Sequence, residues 1–94
     1  INNTMPNVAK FLSMVGTGVI NKTKVTTVLV EGLPIATLGD GISTHGEAPH
    51  IEPTIILGTS MTVTAEGQPV AMVGSKASCM HSVNMGSFTV SVGL

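Results

Sequence analysis

The chain has 94 residues, enough for one domain, and its apolar side chains are mostly small, because it holds two Phe and no Trp or Tyr. Only 10% of the residues are charged and the net charge is −1 at pH 7, so we expect no basic surface and no nucleic-acid partner. No run reaches the roughly 18 apolar residues of a membrane span. We therefore expect no stable membrane insertion, and we find no signal-peptide pattern.

Size and composition predict a thin core. Small domains of this kind often need a metal or a disulfide for stability, and the single Cys has no partner within the chain. The scarcity of charge favours a surface that another protein covers, or else a monomer with a Ser/Thr-rich surface. We interpret residues 1–94 as one domain, with Met5 as the natural start and residues 1–4 as an addition to it.

Short strands and turns are predicted along the first half of the chain. Residues 5–20 contain glycines that disfavour a helix, so short strand or loop is expected there. The β-branched run at residues 25–30 predicts a strand. Residues 31–34 hold both Gly and Pro and predict a turn, and residues 35–38 predict the returning strand.

The same pattern recurs 35 residues later. Residues 61–65 predict a strand, residues 66–69 a turn and residues 70–73 the return. The two copies match without a gap as Glu31-Gly32-x-Pro34-x-Ala36-x-x-Gly39 and Glu66-Gly67-x-Pro69-x-Ala71-x-x-Gly74. The chain therefore contains an internal repeat of one hairpin unit.

A partial third copy follows at the C-terminal end. Residues 86–92 resemble residues 58–64 with a slip of one residue, but no returning strand follows them. Residues 5–14 could complete this unit in space. Three similar units from one chain predict pseudo-threefold symmetry, and the fold class predicted is all-β, built of short hairpins.

All candidate metal ligands of the His and Cys types fall in two short windows. His45 and His50 lie on one loop that contains Gly and Pro, and Cys79 and His81 lie two residues apart further on. An extended strand would point Cys79 and His81 to the same side. Three imidazoles and one thiolate suit a tetrahedral metal, so these four residues form a candidate metal site, with zinc favoured over iron(II).

Other interpretations of these four residues stay open. Histidines are often solvated surface residues, and a free cysteine is often a small buried apolar residue. Cys79 and His81 could form a catalytic dyad, which needs an orienting group and a cleft. A metal-trafficking or metal-sensing module would need an exchangeable site with an exposed thiolate. The chain offers no candidate cleft, and we expect no enzymatic activity.

The repeated E-G-x-P-x-A unit, followed by Gly-Asp and a loop with two histidines, resembles the PAAR-repeat family. The resemblance runs from Met5-Pro6-Asn7-Val8-Ala9 to Val92-Gly93. The tetrapeptide that gives the family its name is degenerate here, as Pro34-Ile35-Ala36-Thr37 and Pro69-Val70-Ala71-Met72, with no Arg in either copy. The resemblance implies a small cone of short strands with a metal near its apex, and it places the family's ligands on His45, His50, Cys79 and His81.

The resemblance also implies a role and a partner. PAAR proteins are membrane-piercing tips that cap and sharpen the trimeric β-helical spike of contractile injection machines, with one chain on each trimer. The chain would be made in the cytoplasm. It would then become part of a phage tail, or be secreted at the tip of a type VI secretion apparatus. A closed site with four protein ligands would make the metal structural.

Overall fold

The computed structural model describes residues 5–93; residues 1–4, interpreted above as an addition, lie outside the described residues. Within the described part the fold is all-β, as predicted, and no helix there is long and apolar enough to cross a membrane. The strands are short and pair antiparallel. They are β1 (Met14–Val15), β2 (Gly18–Lys22), β3 (Leu29–Val30), β4 (Leu33–Pro34), β5 (Gly41–Ile42), β6 (Ile55–Leu57), β7 (Thr64–Ala65), β8 (Gln68–Pro69) and β9 (Lys76–Ala77).

Two equivalent hairpins, β3–β4 and β7–β8, contain the internal repeat. Their turns have two residues, and all four turn residues have positive φ: Glu31 (54°), Gly32 (83°), Glu66 (50°) and Gly67 (80°). That is the conformation of a type I′ turn, whose twist matches the twist of the strands. The predicted four-residue turns were wrong, because Leu33–Pro34 and Gln68–Pro69 already pair as strands.

A third strand pair, equivalent to these hairpins, is formed by the two ends of the described chain. The Val8 N–H donates to the Val90 carbonyl (2.9 Å), and the Val92 N–H donates to the Pro6 carbonyl (2.9 Å). Equivalent bonds close the other two hairpins, from Ile35 to Val28 and from Val70 to Val63. The expectation that the N-terminal stretch completes the third unit is confirmed.

A ring of three backbone hydrogen bonds marks the pseudo-threefold axis. The Ala9 N–H donates to Ala71, Ala71 donates to Ala36, and Ala36 donates back to Ala9, at 2.9–3.0 Å. All three alanines are fully buried. Ala36 and Ala71 are each the third residue of the degenerate tetrapeptide, so this motif lies where the three units meet. The predicted pseudo-threefold arrangement is confirmed.

Each unit turns in the same way after its axial alanine. Ser13, Asp40 and Ser75 each accept, through a side-chain oxygen, the N–H of the residue three positions earlier. Asp40 alone is charged; it is buried, and it forms an ion pair with Lys24 (2.9 Å). These turns redirect the chain into a second set of three hairpins.

We call this second set the apex hairpins: residues 13–20, 40–55 and 75–83. They pair cyclically, because Ile20 pairs with Ile42, Ile55 pairs with Ala77, and Val83 pairs with Val15. The hairpin layer therefore closes on itself. Its tips are a two-residue turn in the first hairpin, a long loop in the second and a tight turn in the third.

The core has two layers. One buried cluster lies with the apex hairpins and contains three isoleucines together with the axial alanines and Cys79. The other lies among the repeat hairpins and consists of Val8, Val25, Val30, Ile35, Ala65, Val70, Met72 and Val92. The first layer supports the candidate site, and the second supports the opposite end of the domain.

At that opposite end, three equivalent loops form a surface that we call the base: residues 25–28, 60–63 and 87–90. Glu66 accepts hydrogen bonds from the Thr26 and Thr27 N–H groups and from the Thr27 hydroxyl, which holds residues 25–28 as a loop. Only Leu29 and Val30 of the predicted strand pair as a strand, so the prediction for residues 25–28 was wrong. Residues 61–63 likewise lie before β7 rather than in it.

Candidate metal centre

The four candidate ligands lie together at the tips of two apex hairpins. One side-chain ligand atom from each of His45, His50, Cys79 and His81 can be chosen so that all four lie within 4.8 Å of one another. Cys79 is buried at 5% exposure, and the three histidines are half-buried. The two windows, 34 residues apart at His45 and Cys79, thus converge as the sequence analysis expected.

The loop of the second apex hairpin presents two imidazoles to one side. The His45 N–H donates to the His50 carbonyl (3.0 Å), and the His50 N–H donates to the Glu47 carbonyl (2.8 Å). The loop also contains a cis Ala48–Pro49 bond. The two hydrogen bonds fold the loop back on itself, and the two rings lie 5.0 Å apart between centroids.

The third apex hairpin supplies Cys79 and His81 from a tight turn. The Met80 N–H donates to the Ala77 carbonyl (2.8 Å), and the Ala77 N–H donates to the His81 carbonyl (2.9 Å). Met80 has φ of 73°, in the left-handed region. The expected extended strand at 79–81 was therefore wrong. The turn brings both side chains to the cluster, and it leaves Met80 exposed at the tip.

Hydrogen bonding assigns ring nitrogens to the site. His45 Nδ1 lies 2.8 Å from the Ser43 carbonyl oxygen and donates to it, so in the neutral ring Nε2 keeps its lone pair. His45 Nε2 lies 3.0 Å from His81 Nδ1 and 3.7 Å from the Cys79 sulfur. His50 Nδ1 is buried, and no residue in the described part of the chain hydrogen-bonds to it. A buried polar atom without a partner is costly, and a metal ion would satisfy it.

The residues fit a four-coordinate metal. Ligands around tetrahedral zinc lie roughly 3.3 Å apart for two nitrogens and roughly 3.6 Å apart for nitrogen and sulfur, given the usual bond lengths. The observed 3.0 Å and 3.7 Å are close to these values. Imidazole nitrogen and thiolate sulfur are also donor types that zinc takes. The cluster could therefore bind a metal ion.

The described residues give no hydrogen bond between the Cys79 thiol and His81, which a Cys79–His81 dyad would use. The Cys79 sulfur instead lies 3.7 Å from His45 Nε2. A surface cleft lies elsewhere, lined by side chains that include Phe11, Lys22 and Glu52, and none of the four cluster residues lines it. The geometry favours metal coordination over nucleophilic catalysis.

Two contributions to the site were missed in the sequence analysis. The Ser43 carbonyl fixes the His45 ring, and the Ser43 hydroxyl accepts the Val19 N–H (3.0 Å), which ties this loop to the first apex hairpin. A carbonyl leaves no signal in a sequence. The first apex hairpin itself supplies no ligand, but its glycines lie against the imidazoles.

Comparison with known proteins supports the family resemblance. A family model for the PAAR motif matches residues 14–79, which include three of the four cluster residues and end two residues before His81. No curated protein matches the chain. The match covers well over half of the 94 residues. The chain therefore belongs to the PAAR motif family, whose members are structural spike-tip proteins, and this membership supports a spike-tip role in contractile injection systems in general.

Proposed function

We propose that this chain caps and sharpens the trimeric β-helical spike of a contractile injection machine, and that it acts as a membrane-piercing tip with no enzymatic activity. The machine would be a type VI secretion apparatus or a phage tail. The chain would be made in the cytoplasm and would leave the cell at the tip of the apparatus or as part of the tail. The observation that carries the proposal is the pseudo-threefold base, which lies at the opposite end from the metal centre.

We also propose that the apex holds one structural zinc ion through His45, His50, Cys79 and His81. The hairpin tips have few side chains to pack against, so four metal bonds would replace a core there. The burial of Cys79 supports a closed structural site. A trafficking module would expose its thiolate for exchange, so the same burial disfavours that alternative.

The base has the symmetry and the chemistry of a cap on a trimer. Its three loops place Thr26, Met61 and Phe88 at equivalent positions, and Met61 and Phe88 are 90% and 79% exposed. Large apolar side chains so exposed are typical of a surface that another protein covers. A trimeric β-helix ends in three identical edges with unpaired backbone groups. One pseudo-threefold base can meet all three edges, which predicts one chain per trimer.

Light scattering on a complex with a trimeric β-helical spike from the same genomic neighbourhood tests this proposal. We expect one chain per trimer. Met61→Asp and Phe88→Asp should each weaken binding by at least about tenfold, as expected for central apolar anchors. Ile51→Asp is the matched control, because Ile51 is also an exposed apolar residue (57%) but lies beside His50 at the apex. Three chains per trimer, or equal loss from all three variants, would contradict the proposed docking.

A further inference from the structure

The three apex hairpins contribute unequally to the metal centre. The second and third supply all four candidate ligands from their tips. The first ends instead in Gly16-Thr17-Gly18, and its turn lies against the imidazoles of the other two. In the threefold arrangement this turn occupies the position that the ligand-bearing tips occupy in their own hairpins.

Gly18 leaves room for the His45 ring. A Cβ atom at this position would lie 2.5 Å from His45 Nδ1 and 3.0 Å from the Ser43 carbonyl oxygen. Those are the two atoms of the 2.8 Å hydrogen bond that fixes the ring. Gly18 does not have a positive φ, so its backbone conformation is open to any residue. Only the missing side chain makes glycine necessary here.

Gly16 makes the equivalent contact with His81. A Cβ there would lie 2.7 Å from Cγ and 2.9 Å from Cε1 of the ring, and closer still to Nδ1, the nitrogen that faces His45 Nε2. Gly16 also has φ of 63°, which itself favours glycine. Gly32 and Gly67 share such a φ, but a Cβ at either position would lie within 4 Å of no atom of the described residues. Gly16 therefore differs from these turn glycines in its ring contact.

We propose that Gly16 and Gly18 are positioning residues of the metal centre: the first apex hairpin is a flat support that sets the positions of the His45 and His81 rings. This inference rests on the proposed metal site and adds a third segment to it. A methyl group at position 18 would push the His45 ring away from Ser43 and shift Nε2 from the cluster. The consequence would be a distorted coordination sphere rather than a lost ligand.

Metal affinity and the metal's spectrum test the proposal on the full chain. Zinc affinity is measured by competition with a chelator, and Co²⁺ is used as a spectroscopic probe of the coordination geometry. We expect Gly18→Ala to weaken zinc binding by about 10- to 100-fold, the usual effect of altering the groups that orient a ligand, and to change the Co²⁺ absorption bands. Gly93→Ala is the matched control, because a Cβ there would have only an ordinary contact at 3.9 Å. Gly16→Ala is compared with Gly32→Ala. Gly32 also has a positive φ, so alanine is strained there too, but no imidazole ring lies against it.

A second measurement keeps the test decisive if Gly18→Ala folds poorly. Gly18→Ala is introduced beside His45→Ala, which removes the ring that the new methyl group would strike. In that background only the Ser43 contact remains, so we expect Gly18→Ala to lower the melting temperature much less than it does in the parent, and the two substitutions are strongly non-additive. Additive losses of melting temperature, or unchanged zinc affinity and Co²⁺ bands in Gly18→Ala, would overturn this inference but not the metal centre. A parent protein that binds no metal would overturn the metal centre together with it.

Discussion

At the scale of single residues, the site depends on where protons and lone pairs lie in three imidazole rings. The Ser43 carbonyl accepts the Nδ1 proton of His45, and His50 Nδ1 is buried without a partner in the described structure. The first contact leaves the Nε2 lone pair of His45 facing the Cys79 sulfur, at 3.7 Å. A cluster arranged in this way is more stable with a bound cation than without one, since the ion satisfies atoms that burial removes from water.

Cys79→Ser should lower the free energy of unfolding by more than about 3 kcal/mol, because a hydroxyl is a poor zinc ligand and the bound metal contributes directly to folding. Thermal unfolding followed by circular dichroism measures the change. The parent protein treated with a strong chelator is the control, and it should melt close to the variant. A variant that melts within a degree or two of the untreated parent would show that the metal is not structural.

Asp40→Ala should destabilise the fold by about 2–3 kcal/mol, because it removes a charged acceptor from the buried Thr37 N–H and from Lys24. Asp40→Ser should recover part of this loss, since Ser13 and Ser75 accept the equivalent N–H groups in the other two units. Urea unfolding of the two variants makes the comparison. Equal destabilisation by Ala and Ser would refute the equivalence of the three turns.

The four cluster residues were predictable because the chain has no other histidine or cysteine. The choice of nitrogen on each ring was not, since it follows from backbone carbonyls whose positions depend on the loop fold. The supporting role of Gly18 was equally hidden. A glycine with an ordinary φ looks in the sequence like any other, and only the nearby ring of His45 gives it a function.

At the scale of elements, two glutamates hold the base loops. Glu31 accepts hydrogen bonds from the Ser87 and Thr89 hydroxyls and from the Phe88 and Thr89 N–H groups. Glu66 holds residues 26 and 27 in the same manner. Each glutamate lies in the two-residue turn of one repeat hairpin and reaches a loop of another unit. The E-G turns therefore connect the units around the axis as well as reversing the chain.

The hydrogen bonds that Glu31 and Glu66 accept from the base loops predict a loss of stability in acid. The hydrogen bonds from Thr89 and then Ser87 lower the pKa of Glu31, and those from the Thr27 side chain and backbone lower the pKa of Glu66, both from an ordinary value of 4.5. A carboxyl with a lowered folded pKa stabilises the fold above its ordinary pKa and loses that contribution as pH falls through the folded value. The melting temperature should therefore decrease as the pH is lowered below about 4.5.

Glu31→Gln should lower the melting temperature at pH 7 and flatten its decline below pH 4.5, since the titrating carboxylate is gone. Glu52→Gln is the control, because Glu52 pairs with Lys22 in an exposed ion pair that contributes little. Melting curves from pH 7 to pH 3 measure both effects. If the melting temperature of Glu31→Gln fell with pH in parallel with that of the parent, the stabilising role of the Glu31 carboxylate would be contradicted.

The positions of the repeat hairpins could be predicted from the sequence, but their details could not. The β-branched run at 25–28 has strong strand propensity, yet the N–H groups of Thr26 and Thr27 donate to Glu66, 40 and 39 residues away, instead of to a neighbouring strand. Strand propensity is weaker than such tertiary bonds. The turn at Cys79–His81 was missed for a similar reason, since the left-handed φ of Met80 has no marker such as glycine.

At the scale of the whole molecule, the fold is a closed triangular arrangement of three units. The ring of hydrogen bonds among Ala9, Ala36 and Ala71 forms its centre, and the apex hairpins pair cyclically beyond it. The symmetry was visible in the sequence as one gapless repeat and a partial third copy at residues 86–92. The third unit is split between the two ends of the chain. Its apex hairpin is the first in chain order, residues 13–20, and is much shorter than the hairpin that holds His45. No single offset therefore aligns all three units.

Ala36→Leu should destabilise the fold by about 1–3 kcal/mol, the usual cost of adding volume to a closely packed interior, because Ala36 is fully buried at the axis. Thr64→Leu adds a similar side chain at an exposed strand position and should change stability by less than about 0.5 kcal/mol. Chemical unfolding compares the two. Equal tolerance of both substitutions would show that the axis is not tightly packed.

The central claim is that a metal ion completes the apex of this small domain. Elemental analysis of the protein, purified without added metal and without chelators, tests it most directly. We expect close to one equivalent of metal per chain, with zinc as the main element, and a matching loss of metal in Cys79→Ser. A folded protein that carries well under one equivalent of any transition metal would contradict it.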